Sequence, residues 1–169
     1  MKNAKITKRE AIKLTGTVRV FSYPAGTAFD RRTAKIEIEQ KNLVMQSPNY
    51  GLDLIIQQLA GTNTYPLALS YGEIGTGATT PTITDTSLTT PTNRAFVSFQ
   101  QDYGCTDVIV QFIFSDSQLT NGTYYEFGVF AGGTTTIGSG QLFNHALFSS
   151  PYVKVAGQDT TVEVDFNFS

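Results

Sequence analysis

The sequence has no tryptophan, one cysteine, one histidine and few charges. Each scarcity removes a class of function. Cys105 has no partner with which to form an intrachain disulfide, so the fold is not built around an oxidising compartment, and a lone thiol is ordinarily a small buried or incidental group. His145, the single histidine, falls inside a strand-like run, and no serine sits in a recognisable nucleophile elbow. A core or interface role is the simpler reading of His145. No His/Cys/Asp cluster has metal-ligand spacing, and no cofactor is called for. The chain has no apolar run of about 18 residues, and its positive N-terminus is not followed by an apolar stretch, so neither a membrane-spanning helix nor a secretory signal is expected. Synthesis in a reducing cytoplasm follows, and Asn121-Gly122-Thr123 then reads as a turn rather than a glycosylation site.

Charged residues make up 15% of the chain, against roughly 25% in an average globular protein. That deficit, with abundant Gly, Thr, Tyr and Phe, fits a β protein with many turns whose surface is partly covered by neighbours. The net charge of −2 conceals a polarity. Through Lys41 the chain carries ten basic and four acidic residues; the remainder carries two basic and ten acidic. Either the basic end of one subunit meets the acidic body of the next, or the two regions are separately solvated faces of a monomer.

At 169 residues the chain suits one domain with a core plus an extended arm. Residues 1–15 form the expected arm: Lys2, Lys5, Lys8, Arg9 and Lys13 stand among too few apolar side chains to guarantee packing, and are the assembly-contact candidates. One short basic cluster without interleaved aromatics does not call for nucleic acid. Residues 16–169 form the expected domain. Thr17 to Ser22 and Ala34 to Glu39 alternate as half-buried strands joined through Asp30-Arg31-Arg32, an exposed polar tip. The spacing predicts a helix over 48–60, with Ser47 as N-cap, Pro48 in the first turn and Gly61 as left-handed C-cap. Its apolar stripe is Leu52, Ile55, Ile56 and Leu59, expected to cover an edge or open end of the β core.

Strand candidates follow at Leu67 to Ile74, Arg94 to Phe99, Asp107 to Phe114, Thr123 to Phe130, Gln141 to Phe148 and Thr161 to Phe168. The nearly continuous apolar run Val108 to Phe114 predicts a central strand covered on both sides. In the last strand Val162, Val164, Phe166 and Phe168 point inward, with Glu163, Asp165 and Asn167 outward. The expected fold is mainly β: an antiparallel, jelly-roll-like sandwich with one amphipathic covering helix and an N-terminal arm.

Residues 74–88 join the two halves of the pattern, and Asp85 is their only acid-base group. Gly75-Thr76-Gly77 invites a phosphate-loop reading, which fails because Thr79, Thr80 and Pro81 follow where a helix N-terminus is needed. Gly-Gly-Thr-Thr-Thr-Ile-Gly-Ser-Gly over residues 132–140 fails likewise and reads as a hairpin loop. The structural-loop expectation is that Ile74 anchors a core strand, Gly75 and Gly77 turn the chain sharply, Pro81 and the threonines cross the surface, and Leu88 re-enters the core. Of the carboxylates Asp102, Asp107, Asp116 and Glu126, no pattern singles out a glycosidase pair. The tyrosines, Tyr65, Tyr71, Tyr124, Tyr125 and Tyr152, are scattered across elements, which favours core and interface roles over a sugar-stacking patch.

Taken in order, Asn42-Leu43-Val44, the helix ending Gln58-Leu59-Ala60-Gly61, Ile74-Gly75-Thr76-Gly77-Ala78-Thr79-Thr80-Pro81, Asp85-Thr86-Ser87-Leu88 and Arg94 resemble a group of tailed-bacteriophage virion structural proteins. Asn121-Gly122, Glu126 to Phe130 and Gly140 to Ala146 look like that group's closing strands. The resemblance runs from about Thr17 to the C-terminus. It departs at Thr92-Asn93-Arg94, where the group often has an acidic residue before the arginine. It implies a non-enzymatic structural subunit of the virion, made in the host cytoplasm: a tail, neck or fibre-associated component whose partners are copies of itself and other virion proteins. A capsid decoration protein and a carbohydrate-binding host-recognition module are the alternatives, the latter requiring aromatics aligned on one exposed face. No small-molecule substrate and no membrane enter this reading.

Overall fold

A computed structural model describes residues 13–169. Eight strands and one helix follow in the order β1 (Leu14–Pro24), β2 (Lys35–Val44), α1 (Leu52–Ala60), β3 (Leu69–Gly75), β4 (Pro91–Tyr103), β5 (Asp107–Phe114), β6 (Gly122–Ala131), β7 (Gln141–Lys154) and β8 (Gln158–Phe168). The fold is mainly β and antiparallel, as expected. Where the sequence pointed to a sandwich, the strands close into an eight-stranded barrel in the order β1-β2-β7-β6-β3-β4-β5-β8. Closure depends on corner strands that change partner. The first half of β4 pairs with β3 up to Tyr71↔Phe96, and the second half pairs with β5 from Val97↔Phe112 onward, with an irregularity between Val97 and Phe99. Bulged strands that switch neighbours are how a sheet turns a corner.

The barrel interior is filled by alternate residues of every strand, among them Val18, Val20, Phe112, Phe127, Val129, Val162, Val164 and Phe166. A second, smaller cluster of Met45, Leu88, Phe130 and Leu142 packs outside the wall formed by β3, β6 and β7. Residues 76–90 lie over it, and buried Leu88 returns to an apolar cluster as expected. On the far wall the β1–β2 connection brings Phe29 edge-on to Phe21 and against Tyr23. Strand β5 is central but not covered on both sides, because outward-facing Ile113 is 38% exposed. In β8 outward-facing Glu163 is buried instead of solvated.

Helix α1 starts four residues later than its sequence signals indicate. Ser47 makes no side-chain cap, and its hydroxyl has no protein partner. Residues 45–51 are instead tied to the sheet, Met45 N donating to Phe143 O at 3.0 Å and Gly51 N to Leu142 O at 3.2 Å. The C-terminus ends as expected at left-handed Gly61, with Thr62 N donating to Gln57 O at 3.0 Å. The buried face is Leu54 with part of Ile55, while Ile56 and Leu59 of the expected stripe are exposed, Leu59 at 84%. Ile55 reaches one mouth of the barrel, where Leu67, Leu69, Phe143, Phe166 and Phe168 surround a 220 Å³ apolar pocket. Leu54→Ala should cost about 2–5 kcal/mol in chemical denaturation, whereas Leu59→Lys should leave the denaturation midpoint unchanged.

Candidate functional site

Strand β6 reads Thr123-Tyr124-Tyr125-Glu126-Phe127-Gly128-Val129, one carboxylate in an apolar run. Pairing sets Glu126 opposite Gly75 of β3 and Leu147 of β7, while His145 of β7 sits opposite Gly128 of β6 and Leu43 of β2. Both side chains are withdrawn from solvent, Glu126 at 0% and His145 at 1% exposure. A carboxylate there is tolerable only if its lone pairs are filled. Glu126 Oε1 accepts from Gly77 N at 3.1 Å and Thr90 N at 2.7 Å; Oε2 accepts from Thr89 N at 2.9 Å and lies 3.0 Å from His145 Nε2. His145 Nδ1 is 2.9 Å from Asp85 Oδ2. Asp85 in turn accepts from Thr82 N at 3.0 Å and Thr82 Oγ1 at 2.6 Å. Each ring nitrogen of His145 thus has a carboxylate oxygen within hydrogen-bond distance.

The cluster therefore clamps both ends and the middle of the 76–90 loop to the barrel wall. Burial by itself would raise the Glu126 carboxyl from its ordinary 4.5, but the bonds from His145, Thr90 and Thr89 outweigh it and hold the group lower. For Asp85, burial also pushes upward from 3.8, and the Thr82 hydroxyl and amide and the His145 ring carry the value down. Chemically, an imidazole with a carboxylate on each nitrogen has no nitrogen left to take a proton from a nucleophile. Among the described residues no group of three or more His, Cys, Asp and Glu is placed to hold a metal ion.

The loop glycines serve a different purpose from the expected sharp turn. Neither Gly75 nor Gly77 has a positive φ. A Cβ on Gly75 would meet Glu126 Oε1 at 2.6 Å, and one on Gly77 would press on Glu126 Oε1 and stand 2.6 Å from the Thr89 Cβ. They are glycine because the buried Glu126 carboxylate, with the Thr90 carbonyl at Gly75 and the Thr89 side chain at Gly77, occupies the side-chain space. Pro81 lies with Lys41 and Thr80 around a shallow pocket beside His145.

Arg94 belongs to a second cluster. The missing acidic neighbour in the chain is supplied across the β3–β4 pair by Glu73, whose register partner is Arg94. Arg94 Nη1 donates to Glu73 Oε1, Nε to Thr134 O at 2.9 Å and Nη2 to Ser139 O at 2.7 Å, while Gly138 N donates to Glu73 at 2.6 Å. The guanidinium lies 4.2 Å from the Tyr71 ring centroid and 5.0 Å from that of Phe130. The 132–140 loop is thus fastened as the 76–90 loop is. A third tie has the buried Lys154 amine donating to Asp116 and to Val155 O at 2.7 Å.

Gly75, Gly77 and Asp85 are brought together around Glu126 and His145; Arg94 stands apart. Of the assembly candidates, Lys2, Lys5, Lys8 and Arg9 lie outside the described residues. Lys13 is exposed, its backbone pairing both ways with Ser169 at 2.7 and 2.9 Å. The charge polarity is in part cancelled within one molecule, because Arg19 and Arg31 both reach Glu163 at 3.1 Å.

No family model, curated protein or solved structure matches the chain. Function must therefore be argued from the geometry.

His145→Ala strands a buried carboxylate and should cost about 3–5 kcal/mol in urea denaturation. Gly77→Val should impair folding comparably, while Thr79→Ala and Thr80→Ala, both in exposed loop positions, should leave stability unchanged. A pH series adds a signed expectation. Folding lowers the Glu126 and Asp85 values, so their contribution is complete above about pH 5. It declines as pH falls through 4.5 and 3.8 and is gone below the depressed folded values. Glu126→Gln should lower stability at pH 7 and flatten the acid limb.

Proposed function

We propose that the chain is a non-enzymatic structural subunit of a tailed-bacteriophage virion, a tail, neck or fibre-associated component that assembles through symmetric contacts with copies of itself and with other virion proteins. The observation that supports this reading most is the open seam of the barrel. Strands β2 and β7 pair only at Leu43↔His145 and Val44↔Asn144. Just beyond, the Gln40 side chain stands in for backbone, donating to Leu147 O at 2.6 Å and accepting from Ser149 N at 2.6 Å. Past that bridge the Lys35–Glu39 part of β2 and the Ser150–Lys154 part of β7 do not pair with each other, and a cleft of 320 Å³ opens between them.

Unpaired strand edges are templates for another chain. Here they carry exposed apolar side chains, Ile36 and Val153, with Val155 just past the end of β7. Pro151 removes one donor from the edge, which limits indiscriminate pairing while leaving its flanks available. The clamped loops add support of a second kind: long connections fixed by buried charge pairs keep their shape under the repeated contacts of an assembly.

Light scattering on the full chain should show concentration-dependent oligomers. Ile36→Lys combined with Val153→Lys should raise the dissociation constant at least about tenfold, with an unchanged melting temperature because both positions are exposed. A strictly monomeric protein at high concentration contradicts the assembly reading, and absence of the chain from imaged particles contradicts the virion reading.

A further inference from the structure

The wall of the barrel opposite the Glu126 clamp carries a groove that the assembly reading does not use. Register aligns its outward residues across three strands: Phe99 of β4 lies beside Gln111 of β5, which lies beside Glu163 of β8, and one end of the same face holds Tyr103 beside Asp107. The β1–β2 connection overhangs this wall and adds Phe29 and Arg31. Phe29, Arg31, Phe99, Tyr103, Gln111 and Glu163, with Ile109 beneath, line a groove of 390 Å³. That volume lies within the range of small-ligand sites, about 300–1,000 Å³.

Its polar groups are held by one another, so they are preorganised. Buried Glu163 accepts from Arg19 Nη1 on Oε1 at 3.1 Å and from Gln111 Nε2 on Oε2 at 2.9 Å, and Arg31 Nη2 forms an ion pair with Oε1 at 3.1 Å. This fixes the Gln111 amide with its oxygen left as an acceptor, and draws the half-exposed Arg31 guanidinium to the groove with N–H groups available as donors. Beside them Phe99 and Tyr103 are 40% and 48% exposed. Two partly exposed aromatic rings next to a planar donor and a planar acceptor suit a pyranose ring. The ring offers a face of C–H groups to the aromatics, and equatorial hydroxyls that both donate and accept at its rim. An anionic ligand fits poorly, since Asp30, Asp107, Glu163 and Asp165 outnumber Arg19, Arg31 and Arg32 on and around the groove, and Arg32 is taken up by Asp30.

We infer that this groove is a carbohydrate site that takes neutral pyranose units of an oligosaccharide or surface polysaccharide. The inference does not depend on the virion reading, and its test is separate from the oligomer measurement. Maltohexaose, cellohexaose, chitohexaose and mannohexaose are titrated against the full ¹⁵N-labelled chain to about 10 mM, a range that detects weak binding. At least one should shift the Gln111 side-chain and neighbouring β4 and β5 amides. Phe99→Ala and Tyr103→Ala should each weaken that binding at least about tenfold. Phe96→Ala, on β4 but outside the groove, should leave it unchanged, and thermal melts confirm that all three variants fold. Three results overturn the inference: no shift with any of the four sugars; shifts insensitive to both aromatic substitutions; or loss of self-association in Phe99→Ala and Tyr103→Ala without any sugar response, which would make the groove a protein contact.

Discussion

A buried carboxylate with all of its lone pairs occupied is the interaction on which this structure turns. Glu126 sits in the middle of an apolar strand, and leaving it there unpaired would cost more than most single contacts return. Its three amide donors come from both ends of one loop and its fourth partner is the only histidine. Satisfying the charge and positioning the loop are therefore the same event. The loop then covers Met45, Phe130 and Leu142 with Leu88, giving the barrel a second apolar layer outside its wall. Glu73 with Arg94, and Lys154 with Asp116, also tie two other connections to the wall through a buried charge, without filling every lone pair: Glu73 Oε2 has no protein partner.

This use of charge bears on the low charged fraction of the sequence. Some of the scarce charge is not on the surface at all: Glu73, Glu126, Glu163, Lys154 and Asp159 are buried. On the proposed assembly reading, the β2–β7 seam, paired at two residue pairs, is where another chain would meet unpaired backbone. The groove on the opposite wall is built differently, from aromatics beside fixed polar groups, and is suited to a hydroxyl-rich ligand. On the proposed reading, one surface would serve assembly and the other would take a saccharide.

The strands were legible because their pattern is local: Asp107–Phe114 has the bounds its apolar run predicts, β3 starts two residues later than expected, β2 one residue later, and the rest reach beyond their expected bounds. Closure was not legible. It depends on β4 changing partner at an irregularity and on two residue pairs between β2 and β7, which no periodicity encodes. The helix start was misread because Ser47-Pro48 carries the local signals of an N-terminus, while tertiary bonds from Met45 and Gly51 to β7 claim that segment. Gly75, Gly77 and Asp85 could be singled out from composition, but not the reason for them. The available signal was a lone Glu, His or Lys within an otherwise apolar strand, as at Glu73, Glu126, His145 and Lys154; each proved to be half of a buried tie.

Amide hydrogen exchange tests the central claim most directly, because it reads the three backbone donors one by one. If Glu126 clamps the loop, Gly77, Thr89 and Thr90 exchange as slowly as the β6 amides of Phe127 and Val129, although they lie in a loop, while Thr79 and Thr80 exchange freely. Fast exchange at Gly77, Thr89 and Thr90 in an otherwise protected barrel would contradict the account.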